Sequence, residues 1–180
     1  NFIQMVTSFA GSAINTAVIK YTAEYHEDES KQRAIWKTAG SIVFVFSLMF
    51  AFLILIFQRQ LSLYIFRTLE YQTVFVWFAV FLLFFNFNTL FLAILNGKKE
   101  ILKLVLANIA GSLFALIVTS ILAIKLHLYG ALIALSIYQS IAFIVTLFLC
   151  YRADWFKFSS LFGKIDLEIT KKLSSFIWMA

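Results

Sequence analysis

The sequence lacks proline, has one cysteine and is poor in charge, and each of these features narrows the possible structures. Without proline, any kink in a helix must come from glycine or from an inserted polar side chain. The single Cys150 excludes a disulfide framework and a cysteine-rich metal site. Only 13% of the 180 residues are charged, against roughly 25% in soluble domains. An ordinary cytosolic globule is therefore excluded.

Hydrophobic residues are correspondingly abundant, at 62% of the chain. A soluble fold of this length could not bury so much apolar surface, which indicates that lipid is the solvent. All Lys, Arg, Asp and Glu residues lie outside five long intervals, each close to the roughly 20 residues that a spanning helix needs. Strands in lipid would need a closed barrel with alternating polarity, which the intervals do not show. The sequence predicts an all-α integral membrane protein with five complete transmembrane helices, at about 1–19, 38–58, 72–97, 104–124 and 129–150.

The end of the chain suggests that more protein follows. After a linker with several cations at 151–172, a new apolar run begins at 173–180. We expect this run to be the start of a sixth helix and the chain to be an internal fragment of a longer membrane protein.

Lysine and arginine are distributed unevenly among the connections. The first, third and fifth connections contain most of them: Lys20, Lys31, Arg33, Lys37, Lys98, Lys99, Lys103, Arg152, Lys157, Lys164, Lys171 and Lys172. The other two contain Arg59, Arg67 and Lys125. The positive-inside rule therefore places the first, third and fifth connections, including the linker 151–172, in the cytoplasm. Because these cations flank apolar runs, the net charge of +6 indicates lipid headgroups and topology, and we expect no nucleic-acid partner.

The first predicted span has a polar and small face at spacings of three and four residues. Its members are Gln4, Ser8, Gly11, Ser12, Asn15 and Thr16, and the same spacing leads to Lys20 one turn later. One interpretation is a helix that lines a hydrated cavity for a polar or anionic substrate. The other is close helix packing through small residues with interhelical hydrogen bonds.

The remaining spans contain fewer polar residues. Asn86 and Asn88 point to nearly opposite sides of the third span, and Asn86 makes the better polar face together with Thr89. Asn86 is thus either a substrate-cavity residue or an interhelical hydrogen-bonding group. On the fourth span, a face of mostly small residues favours close packing: Asn108, Gly111, Ser112, Ala115 and Thr119.

Sequence motifs of enzymes are missing. No nucleophile elbow, Walker loop, Rossmann fingerprint or HExxH motif occurs. His26 and His127 are about a hundred positions apart, without a carboxylate or thiol at ligand spacing. We expect no catalytic residue, no metal site and no cofactor, and hence no enzyme.

Several short motifs resemble those of one transporter family. They are KYTAEYH at 20–26, LAILNGKK at 92–99 followed by NIAGSL at 108–113, YGAL at 129–132, and KLSSF at 172–176. In order and spacing they resemble the Wzx-type O-antigen translocases and lipid III flippases of bacteria. These proteins are oligosaccharide-lipid flippases of the multidrug/oligosaccharidyl-lipid/polysaccharide exporter superfamily.

The resemblance implies a fold and a cargo. The fold would be a MATE-like transporter with two helical lobes, in which 1–172 is most of the N-terminal lobe and 173–180 begins the C-terminal lobe. The cargo would be an undecaprenyl-pyrophosphate-linked oligosaccharide, moved from the cytoplasmic to the periplasmic leaflet of the bacterial inner membrane by alternating access. A polymerase and a chain-length regulator are possible partners beside the membrane lipids.

The resemblance also assigns roles to residues. Lys20 would attract the pyrophosphate, unless it is an interfacial topology determinant, and Gln4, Ser8, Ser12 and Asn15 would bind sugar hydroxyls, with Asn86 as a further cavity candidate. Three alternatives remain open at this point, one of which is a purely structural membrane scaffold that gives no reason for the polar face. A multidrug and toxin extruder of the same fold would be expected to have acidic residues in its spans, and these spans have none. A membrane-embedded polysaccharide polymerase should have a large periplasmic loop, whereas the outer connections here are short.

Overall fold

A computed structural model describes residues 13–157, 161–163, 166, 169–171 and 173. The described chain forms four helical elements: α1 (Ala13–Glu24), α2 (Glu29–Phe66), α3 (Gln72–Gly97) and α4 (Ile101–Tyr151). Within these residues every regular element is a helix, which confirms the predicted all-α class. Three of them, α2, α3 and α4, are long and apolar enough to cross a membrane.

Helix α2 extends beyond the apolar interval from which a span at 38–58 was predicted. The Asp28 carboxylate caps its first turn by accepting a hydrogen bond from the Lys31 backbone N–H at 3.1 Å. An ion pair of 2.8 Å between Glu29 and Arg33 supports the same turn. At the other end, Arg67 adopts a left-handed conformation (φ 55°) and its N–H bonds to the Leu63 carbonyl. With 38 residues, α2 is about 57 Å long.

The long element α4 is a helical hairpin. Its backbone leaves helical geometry at His127 (φ 51°, ψ −134°), and a Cβ atom added to Gly111 would lie 2.8 Å from the Cβ atom of Ala142. In a straight helix these two residues would be about 46 Å apart. The arms 101–126 and 128–151 therefore run antiparallel, and each is long enough for a bilayer about 30 Å thick.

Small residues allow the two arms to approach closely. Gly111 is buried against Ala142, and Ala115, one turn further along, is also buried. Near the turn, Gly130 packs directly against the Leu122 carbonyl. The packing role predicted for the small-residue face of the fourth span is confirmed for Gly111.

The core lies between α1, α2 and α3. Its fully buried side chains include Trp36 from α2 and Phe91 and Ile94 from α3. Cys150, near the end of α4, and Leu161, which follows α4, also belong to it. Outward-facing residues of α2 and α4 are largely apolar; examples at least half exposed are Val45, Phe52, Ile56, Leu113, Leu116 and Ile144. An apolar exterior around a packed helical interior fits a lipid solvent.

Candidate functional site

Helix α1 has one buried apolar face and one exposed polar face. Ile14, Ala17 and Val18 are at most 5% exposed and belong to the core. On the other side, residues spaced by four are exposed: Thr16, Lys20 and Glu24. At its described end, the polar face of this helix therefore points away from the core.

The beginning of the predicted polar face, with Gln4, Ser8, Gly11 and Ser12, lies outside the described residues. Asn15 is its first described member and sits, half-buried, at the boundary between the two faces. The Asn15 Oδ1 atom is buried and has no hydrogen-bond partner within the described part of the chain. A buried carbonyl oxygen without a donor costs free energy. The Asn15 side chain therefore carries a hydrogen-bond acceptor that no described residue satisfies.

Lys20 lies near the end of the polar face. Its ammonium is 5.3 Å from the centroid of the Tyr21 ring, a cation–π contact. Tyr21 in turn stacks on Tyr25, with ring centroids 6.2 Å apart and 12° between the planes. A stacked tyrosine pair thus accompanies the one lysine of α1 at the point where the helix ends.

Asn86 is in a different place from the polar face of α1. Its side chain is 1% exposed, and its Nδ2 donates a hydrogen bond of 2.8 Å to Ser47 Oγ on α2. The contact is an interhelical hydrogen bond between α2 and α3, one of the two roles considered for this residue. The structure therefore does not bring Asn86 to the exposed surface of α1.

A small polar cavity lies between α3 and the two arms of α4. It measures about 40 Å³, and its polar lining consists of Asn88, Asn108, Ser112, Tyr138 and Thr146. Such a volume holds a few water molecules, whereas pockets for small organic ligands measure about 300–1,000 Å³. This cavity is too small for a sugar, and within the described residues no group of three His, Cys, Asp or Glu could hold a metal ion.

The end of α3 forms a tight turn that places Lys98. The Glu100 N–H bonds to the Leu95 carbonyl and the Lys99 N–H to the Asn96 carbonyl, the two bonds of a Schellman motif. Lys99 occupies the left-handed position of this motif (φ 59°) where glycine is usual. Lys98, one residue earlier, points back toward the start of α2.

Lys98 joins a group of side chains that we call the Lys98 clasp: Thr22, Gln32, Trp36, Lys98 and Trp155. The Lys98 ammonium donates to Gln32 Oε1 at 3.0 Å. It also lies 5.9 Å from the Trp36 ring and 5.5 Å from the Trp155 ring. Gln32 Nε2 donates to the Thr22 carbonyl at 2.7 Å, and Trp36 Nε1 donates to Thr22 Oγ1 at 2.9 Å.

An acidic residue connects the clasp to the turn. Trp155 Nε1 donates to Glu100 Oε1 at 3.0 Å, and Lys103 lies 3.2 Å from the other carboxylate oxygen. The indole hydrogen bond, the Lys103 hydrogen bond and charge, and the charge of Lys98 lower the pKa of Glu100 below its ordinary value of 4.5.

The clasp brings together motifs that are far apart in the sequence. Thr22 belongs to the KYTAEYH motif and Lys98 to the LAILNGKK motif, and both lie in one network. Sequence reasoning missed Gln32, Trp36 and Trp155, which complete it. The available signal was the tryptophan pair itself, because the hydrogen bonds of the network join residues from 10 to 66 positions apart.

The long apolar helices and the apolar exterior together indicate a multi-pass membrane protein. Comparison with known families is more specific. The model of the family "Polysaccharide biosynthesis protein" matches residues 1–179, and the chain belongs to this family. The predicted resemblance to the oligosaccharide-lipid flippases is thereby confirmed at the level of the family.

Two curated relatives are similar over the whole chain. They are the lipid III flippases of Escherichia coli (strain K12) and Shigella flexneri, each 26% identical over 184 aligned positions. The alignment covers 100% of this chain and 44% of each relative, so the chain spans less than half the length of these proteins. No solved structure matches.

Proposed function

We propose that the chain is part of a flippase that moves a lipid-linked oligosaccharide across the bacterial inner membrane. Membership of the polysaccharide biosynthesis family and the similarity to two lipid III flippases support this proposal. The cargo is an undecaprenyl-pyrophosphate-linked O-antigen or enterobacterial common antigen repeat unit, carried from the cytoplasmic to the periplasmic leaflet by alternating access. The protein itself makes and breaks no covalent bond.

The exposed polar face of α1 is the observation that carries the proposal. Thr16 and Lys20 are exposed, whereas the outward faces of α2 and α4 present mostly large apolar side chains. A polar face turned toward hydrocarbon would be costly, so it requires a hydrated neighbour. A cavity bounded by this face gives a charged headgroup a polar path, while the polyprenyl tail remains in lipid.

The proposed architecture is a lobe with five spans that faces a second lobe. The predicted span at 1–19, which overlaps α1, is the first. Helices α2 and α3 are the second and third, and the two arms of α4 are the fourth and fifth. The uneven distribution of lysine and arginine supports a cytoplasmic location of the first, third and fifth connections. Residues 173–180 then begin the C-terminal lobe, which closes the cavity.

Each candidate residue has a proposed role. Lys20 attracts the pyrophosphate as a flexible point charge, at the cytoplasmic end of the polar face. Gln4, Ser8, Ser12 and Asn15 exchange hydrogen bonds with sugar hydroxyls. Asn86 remains a weaker candidate, with Ser47 as its established contact. A polymerase and a chain-length regulator are the proposed partners that consume the exported unit.

The test uses cells that lack the full-length gene. Lipid extracts are analysed by mass spectrometry, and leaflet location is measured with a probe that does not enter the cell. We expect complete undecaprenyl-pyrophosphate-linked units to accumulate on the cytoplasmic side and the intact gene to reverse this. Normal lipid intermediates with altered drug retention would instead indicate an extruder.

A second set of strains tests the polar face. Lys20→Ala and Asn15→Ala in the full-length protein should each reduce export at normal membrane levels. Lys99→Met is the matched control, because it removes an exposed cation from the neighbouring α3–α4 turn. Unchanged export in both polar-face variants would show that this face serves packing.

A further inference from the structure

The Lys98 clasp fixes the last turns of α1 from outside that helix. Two polar atoms of Thr22 are bound by α2: the carbonyl oxygen accepts from Gln32 and the hydroxyl oxygen accepts from Trp36. Carbonyls in the last turn of a helix have no partner within the helix, so the Gln32 bond also completes the end of α1. Thr22 lies two residues after Lys20, and its position determines where the Lys20 side chain begins.

Lys98 is the residue on which this arrangement depends. When Gln32 Nε2 donates to the Thr22 carbonyl, the Oε1 atom of the same amide faces away from Thr22 and needs a donor of its own. The Lys98 ammonium is that donor, at 3.0 Å. Gln32 is 1% exposed, so water does not readily replace the ammonium. The rings of Trp36 and Trp155, which pack against each other and both contact the ammonium, help to keep the cation in place.

We infer that Lys98 is a positioning residue for Lys20, acting through Gln32 and Thr22 to hold the polar face of α1 at its cytoplasmic end. The inference rests on the proposed function, because it assigns to the clasp the task of presenting a cation to the anionic headgroup. Lys98 contacts the core of the lobe and not the cargo. Its loss displaces the end of α1 and leaves the Lys20 charge present but misplaced.

A double-mutant cycle in the full-length protein tests the inference. Lys98→Met keeps much of the side-chain length and removes the ammonium, Lys98→Arg keeps a cation, and Lys99→Met removes the adjacent exposed charge as a control. We expect Lys98→Met alone to reduce export about fivefold. In protein that already carries Lys20→Ala, adding Lys98→Met should reduce export further by about twofold at most, because the effects of coupled residues are not additive. Lys98→Arg should retain most export, and Lys99→Met should match the unaltered protein.

A measurement independent of transport reports the clasp itself. The indoles of Trp36 and Trp155 have centroids 5.4 Å apart with 58° between their planes, a geometry that gives an exciton couplet in circular dichroism. Purified Lys98→Met should have a weaker couplet than Lys99→Met at equal helix content. Trp155→Phe, which removes one indole, identifies the couplet.

The outcomes separate the two proposals. If the intact gene fails to restore export, the proposed function fails, and the positioning role fails with it. If export depends on Lys20 but is normal in Lys98→Met, or if the two losses multiply fully in the double variant, only the positioning role is overturned. Reduced membrane levels of both Lys98 variants, together with an unchanged couplet, would also overturn it, because Lys98 would then serve biogenesis alone.

Discussion

Gly97 and Thr22 are in direct contact where α3 and α1 end. A Cβ atom added to Gly97 would lie 2.6 Å from Thr22 Cβ and 2.9 Å from the Ile19 carbonyl oxygen. Both residues belong to motifs by which the sequence resembles the flippases. The close approach gives these motifs a physical reason, because only glycine allows the backbone of α1 so near to the end of α3.

Gly97→Ala should therefore destabilise the lobe. Helix propensity alone would favour alanine by about 1 kcal/mol, but the clash with a backbone oxygen forces α1 and α3 apart, and overpacking costs about 1–3 kcal/mol. We expect a net loss of about 1 kcal/mol and a lower melting temperature of the full-length protein in detergent. Gly163→Ala is the control, since its Cβ would meet only the flexible Lys37 side chain. An equal melting temperature for Gly97→Ala would contradict the contact.

Asn86 and Ser47 should behave as one unit. Removal of either partner breaks a buried hydrogen bond between α2 and α3, and such bonds in membrane proteins contribute about 0.6 kcal/mol on average and up to about 1.7. We expect Asn86→Ala and Ser47→Ala to lower stability by similar amounts, with little further loss in the double variant. Unfolding of the four proteins in mixed micelles measures this coupling. Additive losses would show that the hydrogen bond contributes nothing.

The turn of α4 should respond in opposite ways to two substitutions. His127 has φ 51° and ψ −134°, a conformation that is strained for any residue except glycine, so His127→Gly should stabilise the protein by about 1 kcal/mol. Gly130→Ala should destabilise it, because the new methyl group would collide with the Leu122 carbonyl. Thermal unfolding of both variants checks the hairpin; a stabilising Gly130→Ala would be incompatible with it.

Glu100 should make the stability depend on acid pH. Its pKa is lowered in the folded protein by the Trp155 hydrogen bond, Lys103 and Lys98. The ionised carboxylate therefore stabilises the fold above its ordinary pKa of 4.5, and this contribution disappears as the pH falls through the lowered value. As the pH falls below 4.5 and on through the lowered pKa, we expect the unaltered protein to lose more stability than Glu100→Gln. Asp28, whose pKa is about 2, acts equally in both, so parallel curves would exclude a contribution of Glu100.

The helical class was predictable because composition and charge-free intervals report directly on the solvent. The ends of α2 were not, since those intervals locate only the apolar part of a helix. The cap at Asp28 and the Glu29–Arg33 pair continue α2 through polar sequence. In this polar segment the helix depends on side-chain hydrogen bonds and ion pairs, which a hydropathy pattern does not detect.

The polar face of α1 and the clasp differ in the same way. Thr16 and Lys20 share a face because of helix periodicity, which a sequence contains. The contact between Lys98 and Gln32 depends on how three helices and a turn pack together, and no local pattern encodes it. For Asn86 the sequence pattern left two roles open. Its hydrogen-bonding partner Ser47 could be identified only from the packing of α2 against α3.

The one-residue break at His127 also constrains how the chain is made. The two arms of α4 leave the ribosome with almost no spacer between them. In the proposed orientation we expect the pair to enter the bilayer together as a hairpin, with the turn at its tip leading. The tip then has to carry only Lys125 and His127 to the far side, and a short, weakly charged turn keeps that translocation step inexpensive.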